Sequence, residues 1–338
     1  MTKPLHLLPA FAVAFATLLA PQALAAEGTG KQDSTASTSA SSSGLSIGLP
    51  EGVTKQMLGE RSLQTIALQV MLDRSRHSPG VIDGYMGANT RRAIRYYRQA
   101  NGLPSGDTVD EKLLSALADH QGEGAFKTYT ITQEDASHSF TQNPGGLAAM
   151  ADADQLGYET PVEMFAERFH MTEGFLRALN PHADLGKAGT KLVIVSRSDE
   201  KLTEDVARIE VRKGEKSVAL LDASGKVVAS YPATIGSDQF PSPNGQMQVK
   251  AIVTEPAYYF DPDSQEWGPD KRLKIAPGPN NPIGGTWIDL GKNGYGIHGS
   301  PDPRLVGKRT SHGCVRLTNW DADEVASAVE IGIPVQFN

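Results

Sequence analysis

The sequence predicts a multidomain α and β protein, with helices in its N-terminal half and β-strands in its C-terminal third. Two observations lead to this fold class. Apolar residues recur at helical spacing over residues 63–70 and again after Asn89. Short apolar segments separated by glycine-containing turns begin at Ile209 and continue toward the C-terminus. We therefore expect a small three-helix domain, a mixed segment, and a β-rich domain that forms a sandwich or barrel.

The N-terminus has the three parts of a secretory signal peptide. Lys3 provides a positive charge, residues 7–20 are largely apolar, and Ala23 and Ala25 are small residues suited to cleavage. We predict a signal peptide over residues 1–26, with an uncleaved membrane anchor as the alternative. The apolar stretch is short for a bilayer span of about 20 residues, so no integral span is expected after cleavage. Export to a periplasm or cell wall is the predicted localisation.

Composition narrows the possible partners. Residues 27–53 are rich in Ser, Thr, Gly and Ala, which predicts a flexible linker because little apolar surface offsets the entropy of ordering it. The net charge of −7 argues against a nucleic-acid partner, since such proteins usually present a basic surface. A single cysteine, Cys314, rules out an internal disulfide and leaves packing, metal ligation or reactivity as its role.

Residues 54–120 predict three short helices, with Asn89 and Asp110 as candidate N-caps of the second and third. This segment resembles the three-helix peptidoglycan-binding domain often attached to cell-wall enzymes. The resemblance implies glycan binding; a helical spacer without glycan affinity is the alternative. A departure occurs at Tyr97-Arg98, where the family usually has Phe-Gln. The residues that carry the resemblance are Leu68-Gln69, residues 79–84, Gly87, Asn89-Thr90, Ala93 and residues 101–104.

Residues 126–198 are predicted to form a middle domain. One helix is expected over residues 164–169 and a second behind a cap at Thr172, and a strand is expected over residues 189–195. Its later part resembles a diverged LysM glycan-binding motif, with a longer loop after Thr132 than that family has. A structural linker domain is the alternative. The residues that carry the resemblance are Phe165-Ala166, Leu176, Leu179-Asn180-Pro181 and residues 189–192.

Residues 205–338 are predicted to form the β-rich C-terminal domain, in which one helix is expected over residues 321–330. The aromatic residues Trp287, Tyr295 and Trp320 are candidates for a substrate groove, with core packing as the alternative. The predicted strands cover residues 209–211, 217–221, 227–228, 247–253 and 294–297.

The surroundings of Cys314 favour reactivity over packing. His298 and His312 are close in sequence, and an imidazole can take a thiol proton and so activate the sulfur as a nucleophile. Flexible glycine backbone at Gly313 can direct N–H groups toward an oxyanion. We interpret Cys314 as a catalytic nucleophile. A zinc site with the two histidines is the alternative; because it lacks an evident fourth ligand, we expect no metal and no other cofactor.

This constellation resembles the signature of YkuD-type L,D-transpeptidases, in which a histidine precedes a Ser/Thr-His-Gly-Cys motif. The resemblance implies that His298 is the general base and acid, and that Gly299 orients it through its backbone carbonyl. It also implies that the N–H groups of Gly313 and Cys314 stabilise an oxyanion. The substrate-binding residues that it implies are Ser311, His312 and Arg316. For Arg316 an ion pair with Asp321 or Asp323 is the alternative. The residues that carry the resemblance are His298 to Pro303, residues 311–314, residues 316–321 and residues 241–245.

The family implies a peptidoglycan L,D-transpeptidase that works in cell-wall biogenesis and cell shape. Cys314 would attack a stem tetrapeptide, release D-alanine and form a thioester, which an amine acceptor would resolve. Stem peptides and glycan are the implied partners, and carbapenem sensitivity is implied as well. An L,D-carboxypeptidase with the same site and a non-catalytic wall-binding protein are the alternatives; the complete His298/Cys314 pair argues against the second.

Overall fold

The computed structural model describes residues 48–338, except 264, 266 and 293. The signal peptide predicted over residues 1–26 and most of the linker predicted over residues 27–53 lie outside the described residues. Within the described residues, no helix has the length and apolar character needed to cross a membrane.

Short helices dominate the first part of the described chain. Ser62 caps the second helix by accepting from Thr65 N, and Asp110 caps the fourth by accepting from Leu113 N. Asn89 was wrong as an N-cap, because the third helix begins at Ala88, behind the cap Gly87, and includes Asn89. The helices are α1 (Lys55–Leu58), α2 (Leu63–Arg74), α3 (Ala88–Ala100) and α4 (Glu111–Leu117), followed by a 3₁₀ turn at Ala118–His120.

The turn between α2 and α3 is held by the buried side chain of Gln69. Its Nε2 donates to Asp83 Oδ1 and to Thr90 Oγ1, both at 3.0 Å, and its Oε1 accepts from Gly84 N at 2.9 Å. Gly84 has a φ of 80°, a backbone conformation that favours glycine. Gln69 and Gly84, two residues that carry the peptidoglycan-binding resemblance, therefore build this turn.

The middle segment is a two-stranded antiparallel sheet with helices in its connection. The pairing runs from Phe126 opposite Val195 to Thr130 opposite Lys191. Thr172 caps the last helix, as predicted, by accepting from Phe175 N. The elements are β1 (Phe126–Thr130), α5 (Gln133–Ala136), α6 (Leu147–Met150), α7 (Pro161–Arg168), α8 (Glu173–Leu179) and β2 (Lys191–Val195).

One hydrophobic core joins the middle segment to α2. Ile66 and Val70 of α2 belong to the same buried cluster as Phe165, Leu176 and Ile194. Because neither segment covers this apolar surface alone, burial in a common core holds them together.

The C-terminal part is sandwich-like, with two larger sheets. The first has the order β5-β4-β3-β15-β7 and the second the order β14-β12-β11-β8. The predicted strand over residues 247–253 is two strands, separated by Val249 and Lys250. The predicted helix begins earlier, behind the cap Thr318. The elements are β3 (Arg208–Arg212), β4 (Ser217–Leu221), β5 (Val227–Pro232), β6 (Ile235–Gly236), β7 (Gly245–Gln248), β8 (Ala251–Thr254), β9 (Tyr258–Phe260), β10 (Leu273–Ile275), β11 (Thr286–Asp289), β12 (Gly296–His298), β13 (Thr310–Ser311), β14 (Val315–Arg316), α9 (Asn319–Ala328) and β15 (Pro334–Phe337).

A buried apolar cluster lies between these sheets and α9. Ile209 and Val335 contribute from the first sheet, Ile288 and Ile297 from the second, and Val325 from the helix. Strands β12 and β14 pair in parallel, with Ile297 opposite Val315. Both of those side chains point into the core, so the alternate residues of the two strands face the other side of the sheet.

Phe165→Ala should lower the free energy of unfolding by about 3–5 kcal/mol, because the substitution leaves a cavity where a fully buried ring packed. Urea denaturation followed by circular dichroism measures the change. Tyr259→Ala is the matched control, since this ring is 65% exposed; its effect should stay within about 0.5 kcal/mol. Equal effects of the two substitutions would contradict a shared core centred on Phe165.

Candidate active site

The predicted nucleophile and base face one cavity of about 720 Å³ at the surface of the C-terminal part. His298 ends β12 and Cys314 immediately precedes β14. Because Ile297 and Val315 point into the core, the side chains of His298 and Cys314 lie on the opposite face. Parallel pairing of β12 with β14 therefore brings two residues from different parts of the sheet to the same cavity.

The Cys314 thiol is protonated at rest. Its Sγ donates to the Gly294 carbonyl at 3.1 Å. Burial raises the pKa of this thiol above its ordinary value, while the Gly296 backbone and the Arg316 guanidinium act in the opposite direction. A base is therefore needed to produce the thiolate.

His298 is a buried, neutral imidazole. Its Nδ1 lies 2.7 Å from the Gly299 carbonyl oxygen, and an N–H···O bond there places the proton on Nδ1 and leaves Nε2 as an acceptor. Burial, followed by the Arg316 charge, lowers the pKa of His298 to about 3. Trp287 stacks against the ring with centroids 5.6 Å apart. This histidine has the tautomer that a general base requires.

Side-chain hydrogen bonds hold the turn before Cys314. Ser311 Oγ donates to the Cys314 carbonyl at 2.5 Å and accepts from Gly313 N at 3.2 Å. Ser242 Oγ donates to the Gly313 carbonyl at 2.6 Å. Gly313 has a φ of 115°, and a Cβ there would lie 3.0 Å from the Tyr295 ring, so glycine is required. Ser311 thus shapes the turn, and the Gly313 N–H already has an acceptor.

His312 lies on the wall of the cavity between aromatic rings. Trp267 stacks on it with centroids 4.3 Å apart, and Phe240 is tilted against it at 4.9 Å. Sequence reasoning missed Trp267 and Phe240. The run of aromatic residues at positions 258–260 and 267 was the available signal. Of the three aromatic candidates, Trp287 and Tyr295 line the cavity, whereas Trp320 stacks on His170.

Arg316 lines the same cavity and has no carboxylate partner among the described residues. Its Nε is buried without a hydrogen-bond partner, and its backbone pairs with Thr234. The alternative of an ion pair with Asp321 or Asp323 is wrong. Asp323 instead accepts from Thr286 Oγ1 at 2.5 Å, and Asp321 is buried beside Thr318 and Ser78.

Two polar residues near the start of α3 contact the C-terminal part, and one of them, Asn89, belongs to the peptidoglycan-binding resemblance. Asn89 Nδ2 donates to the Val306 carbonyl at 3.0 Å, and Arg92 Nε donates to the Glu215 carbonyl at 2.5 Å. Both side chains are buried. Their position makes them part of the contact between two segments of this chain.

The zinc alternative finds no support in the geometry of the part that the structure describes. Within it, no group of three or more His, Cys, Asp or Glu side chains is arranged to hold a metal ion. A thiol and a neutral imidazole line one aromatic-walled cavity instead, and these are the groups that cysteine-dependent acyl transfer uses.

Comparisons with known proteins define the class of this protein. Residues 206–336 match the YkuD family model, described as "L,D-transpeptidase catalytic domain". Residues 61–117 match a model described as "Putative peptidoglycan binding domain". The chain therefore carries an L,D-transpeptidase catalytic domain of the YkuD family, preceded by a domain of the peptidoglycan-binding type.

Individual relatives agree with this assignment. "Putative L,D-transpeptidase YkuD" of Bacillus subtilis (strain 168) is 26% identical over 177 residues, which cover 52% of this chain and 93% of that protein. "Probable L,D-transpeptidase YbiS" of Escherichia coli (strain K12) is 28% identical over 190 residues, covering 54% and 61%. A solved L,D-transpeptidase from Mycobacterium smegmatis covers 44% of this chain and 63% of its own, with 19% identity and a TM-score of 0.33, too distant a likeness to carry an argument.

The rate at which iodoacetamide alkylates Cys314 should still rise with pH at pH 9, and it should show no plateau near neutral pH. The pKa of Cys314 is raised above its ordinary value of 9.0. The thiol form, which does not react, therefore predominates below pH 9. Intact mass against time at each pH measures the rate, and the single cysteine makes the signal unambiguous. Cys314→Ala is the control and should remain unlabelled. A plateau below pH 7 would instead indicate a thiolate–imidazolium pair at rest.

Proposed function

We propose that this protein is a peptidoglycan L,D-transpeptidase in which Cys314 is the nucleophile and His298 the general base and acid. One observation carries the proposal: a buried neutral imidazole, held through Nδ1, faces the same cavity as the sole thiol. The family of the catalytic domain supports peptidoglycan as the substrate.

The first half-reaction forms a thioester. Nε2 of His298 takes the thiol proton while Sγ of Cys314 attacks the carbonyl carbon before the terminal D-alanine of a stem tetrapeptide. The C–N bond then breaks, and the imidazolium returns its proton to the departing D-alanine nitrogen. Because both groups are neutral at rest, the proton moves only as the sulfur attacks. This half-reaction needs no external energy source, since the cleaved peptide bond supplies the acyl group.

Backbone N–H groups at the turn stabilise the oxyanion in this proposal. The N–H groups of Gly313 and Cys314 are the candidates, and Gly313 N must exchange its resting acceptor, Ser311 Oγ, for the substrate oxygen. One well-placed donor contributes about 3 kcal/mol to the transition state. Gly299 contributes through the carbonyl that orients His298.

The second half-reaction resolves the thioester. An amine of an acceptor attacks the acyl carbon, His298 takes a proton from that amine, and the thiol leaves and recovers its proton. Arg316 supports recognition of a substrate carboxylate, because its guanidinium reaches the cavity without a carboxylate partner of its own among the described residues. His312, with its aromatic neighbours, forms the wall against which the stem peptide packs.

Location and targeting follow from the substrate. A peptidoglycan substrate requires the protein to act in the periplasm or cell wall, consistent with the signal peptide predicted over residues 1–26. The domain at residues 54–120 and the middle segment at residues 126–198 are proposed to hold the enzyme on wall glycan. In the first of these, the exposed surface must provide the contacts, because Asn89 and Arg92 are buried.

Cys314→Ala should abolish D-alanine release from a disaccharide-tetrapeptide, and His298→Ala should lower it by about 10²–10⁴-fold through loss of the base. Mass spectrometry identifies the products: cross-linked dimers indicate transpeptidation, and tripeptide with D-alanine alone indicates a carboxypeptidase. Circular dichroism should match the wild type, since each substitution removes one side chain at the cavity. Variants that are folded and fully active would overturn the assignment.

A carbapenem should acylate Cys314 in the folded, reduced protein. Its strained carbonyl presents an electrophile to the thiol without the remainder of a stem peptide, so the reaction depends on the nucleophile and base alone. Intact mass and peptide mapping locate the adduct, and Cys314→Ser is the control that should lose it. Unlabelled Cys314 after prolonged incubation at neutral pH would count against the acyl-transfer site.

A further inference from the structure

The peptide group that holds His298 is itself held from its other side. His298 Nδ1 donates to the Gly299 carbonyl at 2.7 Å. The N–H of the same peptide group belongs to Ser300 and donates to Asn319 Oδ1 at 3.0 Å. A trans peptide group is planar, with its C=O and N–H pointing in opposite directions. Asn319 therefore sets the direction in which the Gly299 carbonyl points.

The same amide oxygen also holds a second loop beside the histidine. Asn319 Oδ1 accepts from Gly285 N at 3.3 Å, and the nearby Ile283 carbonyl is close enough to raise the pKa of His298. The packing is tight, because a Cβ on Gly299 would lie 2.1 Å from Asn319 Oδ1. One buried amide thus fixes both backbone segments that face His298.

The nitrogen end of this amide is oriented from the middle segment. Asn319 Nδ2 donates to Glu167 Oε1 at 2.9 Å and to the Pro279 carbonyl at 3.1 Å. Tyr158 Oη donates to the same carboxylate oxygen at 3.1 Å. Glu167 lies on α7, outside both family-matched regions. The structure thus links a residue outside the catalytic domain to the histidine by three successive hydrogen bonds.

We propose that Glu167 is a positioning residue for His298, acting through the Asn319 amide and the Gly299–Ser300 peptide group. The inference rests on the proposed function of His298 as the base. It gives the middle segment a part in catalysis that is separate from glycan binding.

Glu167 can fix the orientation of the Asn319 amide because one end of an amide donates hydrogen bonds and the other accepts them. In the observed orientation, Nδ2 of Asn319 faces two acceptors and Oδ1 faces two donors. An inverted amide would place its NH₂ against the N–H groups of Ser300 and Gly285, and its oxygen against the carboxylate. Burial raises the pKa of Glu167 to about 7, and its carboxylate form, which predominates above that pH, makes inversion costly. Without it, the Gly299 carbonyl is less firmly directed, and the imidazole can adopt the tautomer that has no free Nε2 acceptor.

Glu167→Ala in the full chain should lower kcat for D-alanine release by about tenfold, within the roughly 100-fold that a 1 Å misplacement can cost, and leave KM unchanged. Nitrogen-15 NMR of the His298 ring should change from one Nδ1–H tautomer to a mixture. Glu167→Gln retains an acceptor oxygen and should stay within about twofold of wild type. If Glu167 had only a structural role, Glu167→Ala would lower the thermal stability and leave the His298 tautomer unchanged.

Glu163→Ala is the matched control. Glu163 lies one turn earlier on α7, and its Oε1 accepts from Asn280 Nδ2 at 2.6 Å, so it joins the same helix to the catalytic domain without contacting Asn319. Its kcat and its His298 tautomer should equal those of the wild type. An equal loss in the Glu163 variant, or wild-type kcat and tautomer in folded Glu167→Ala, would overturn the proposal.

An exchange of donor and acceptor tests the contact even if Glu167→Ala does not fold. Asn319→Asp keeps the oxygen toward Ser300 but sets a second oxygen against Glu167, so kcat should fall. Combining it with Glu167→Gln supplies an NH₂ donor to the new carboxylate and should recover part of the loss. A double variant no better than Asn319→Asp alone contradicts the proposal.

His298→Ala in the same assay separates the two levels of inference. If it retains wild-type kcat, the proposed base is wrong, whatever the Glu167 variants do. If His298→Ala is inactive while Glu167→Ala has wild-type kcat and tautomer, only the positioning role is wrong.

Discussion

The site depends on the parallel pairing of β12 with β14. This pairing sets Ile297 opposite Val315 in the apolar core, and strand alternation then directs His298 and Cys314 to the same cavity. Core burial therefore stabilises the sandwich and also fixes the register of β12 against β14. This register places His298 and Cys314 at the cavity. A shift by one residue would turn the side chain of His298 or Cys314 into the core.

Polar contacts join the three segments of the described chain at buried positions. Tyr96 Oη on α3 donates to Glu215 at 2.5 Å and lies 2.6 Å from Ser217 Oγ on β4. Asn319 at the start of α9 reaches Glu167 on α7. Buried polar groups such as these are costly unless every one finds its partner, so they make the packing of the segments specific. The same contacts bring a residue of the middle segment within reach of the catalytic domain's backbone.

Sequence patterns predicted the elements whose signals are local. They were less successful for elements whose structure depends on long-range contacts. Caps at Ser/Thr/Asp residues, such as Thr172, act within one helical turn, so the helix behind Thr172 was predicted, whereas α5 and α6 were not. Asn89 failed as a cap because its amide serves a distant carbonyl, that of Val306. The short strands β13 and β14 escaped prediction, since two-residue strands exist only through their partners.

The sequence by itself determined the functional groups of the proposed site: one thiol, a preceding histidine, and a glycine, Gly313, directly before Cys314. Those features are local, and reactivity depends on the functional groups themselves. Tertiary structure alone decided the protonation states, because burial and the Arg316 charge lower the pKa of His298, and burial raises that of the thiol. It also decided that Glu167 reaches the histidine through Asn319, since no local pattern encodes a contact between residues this far apart.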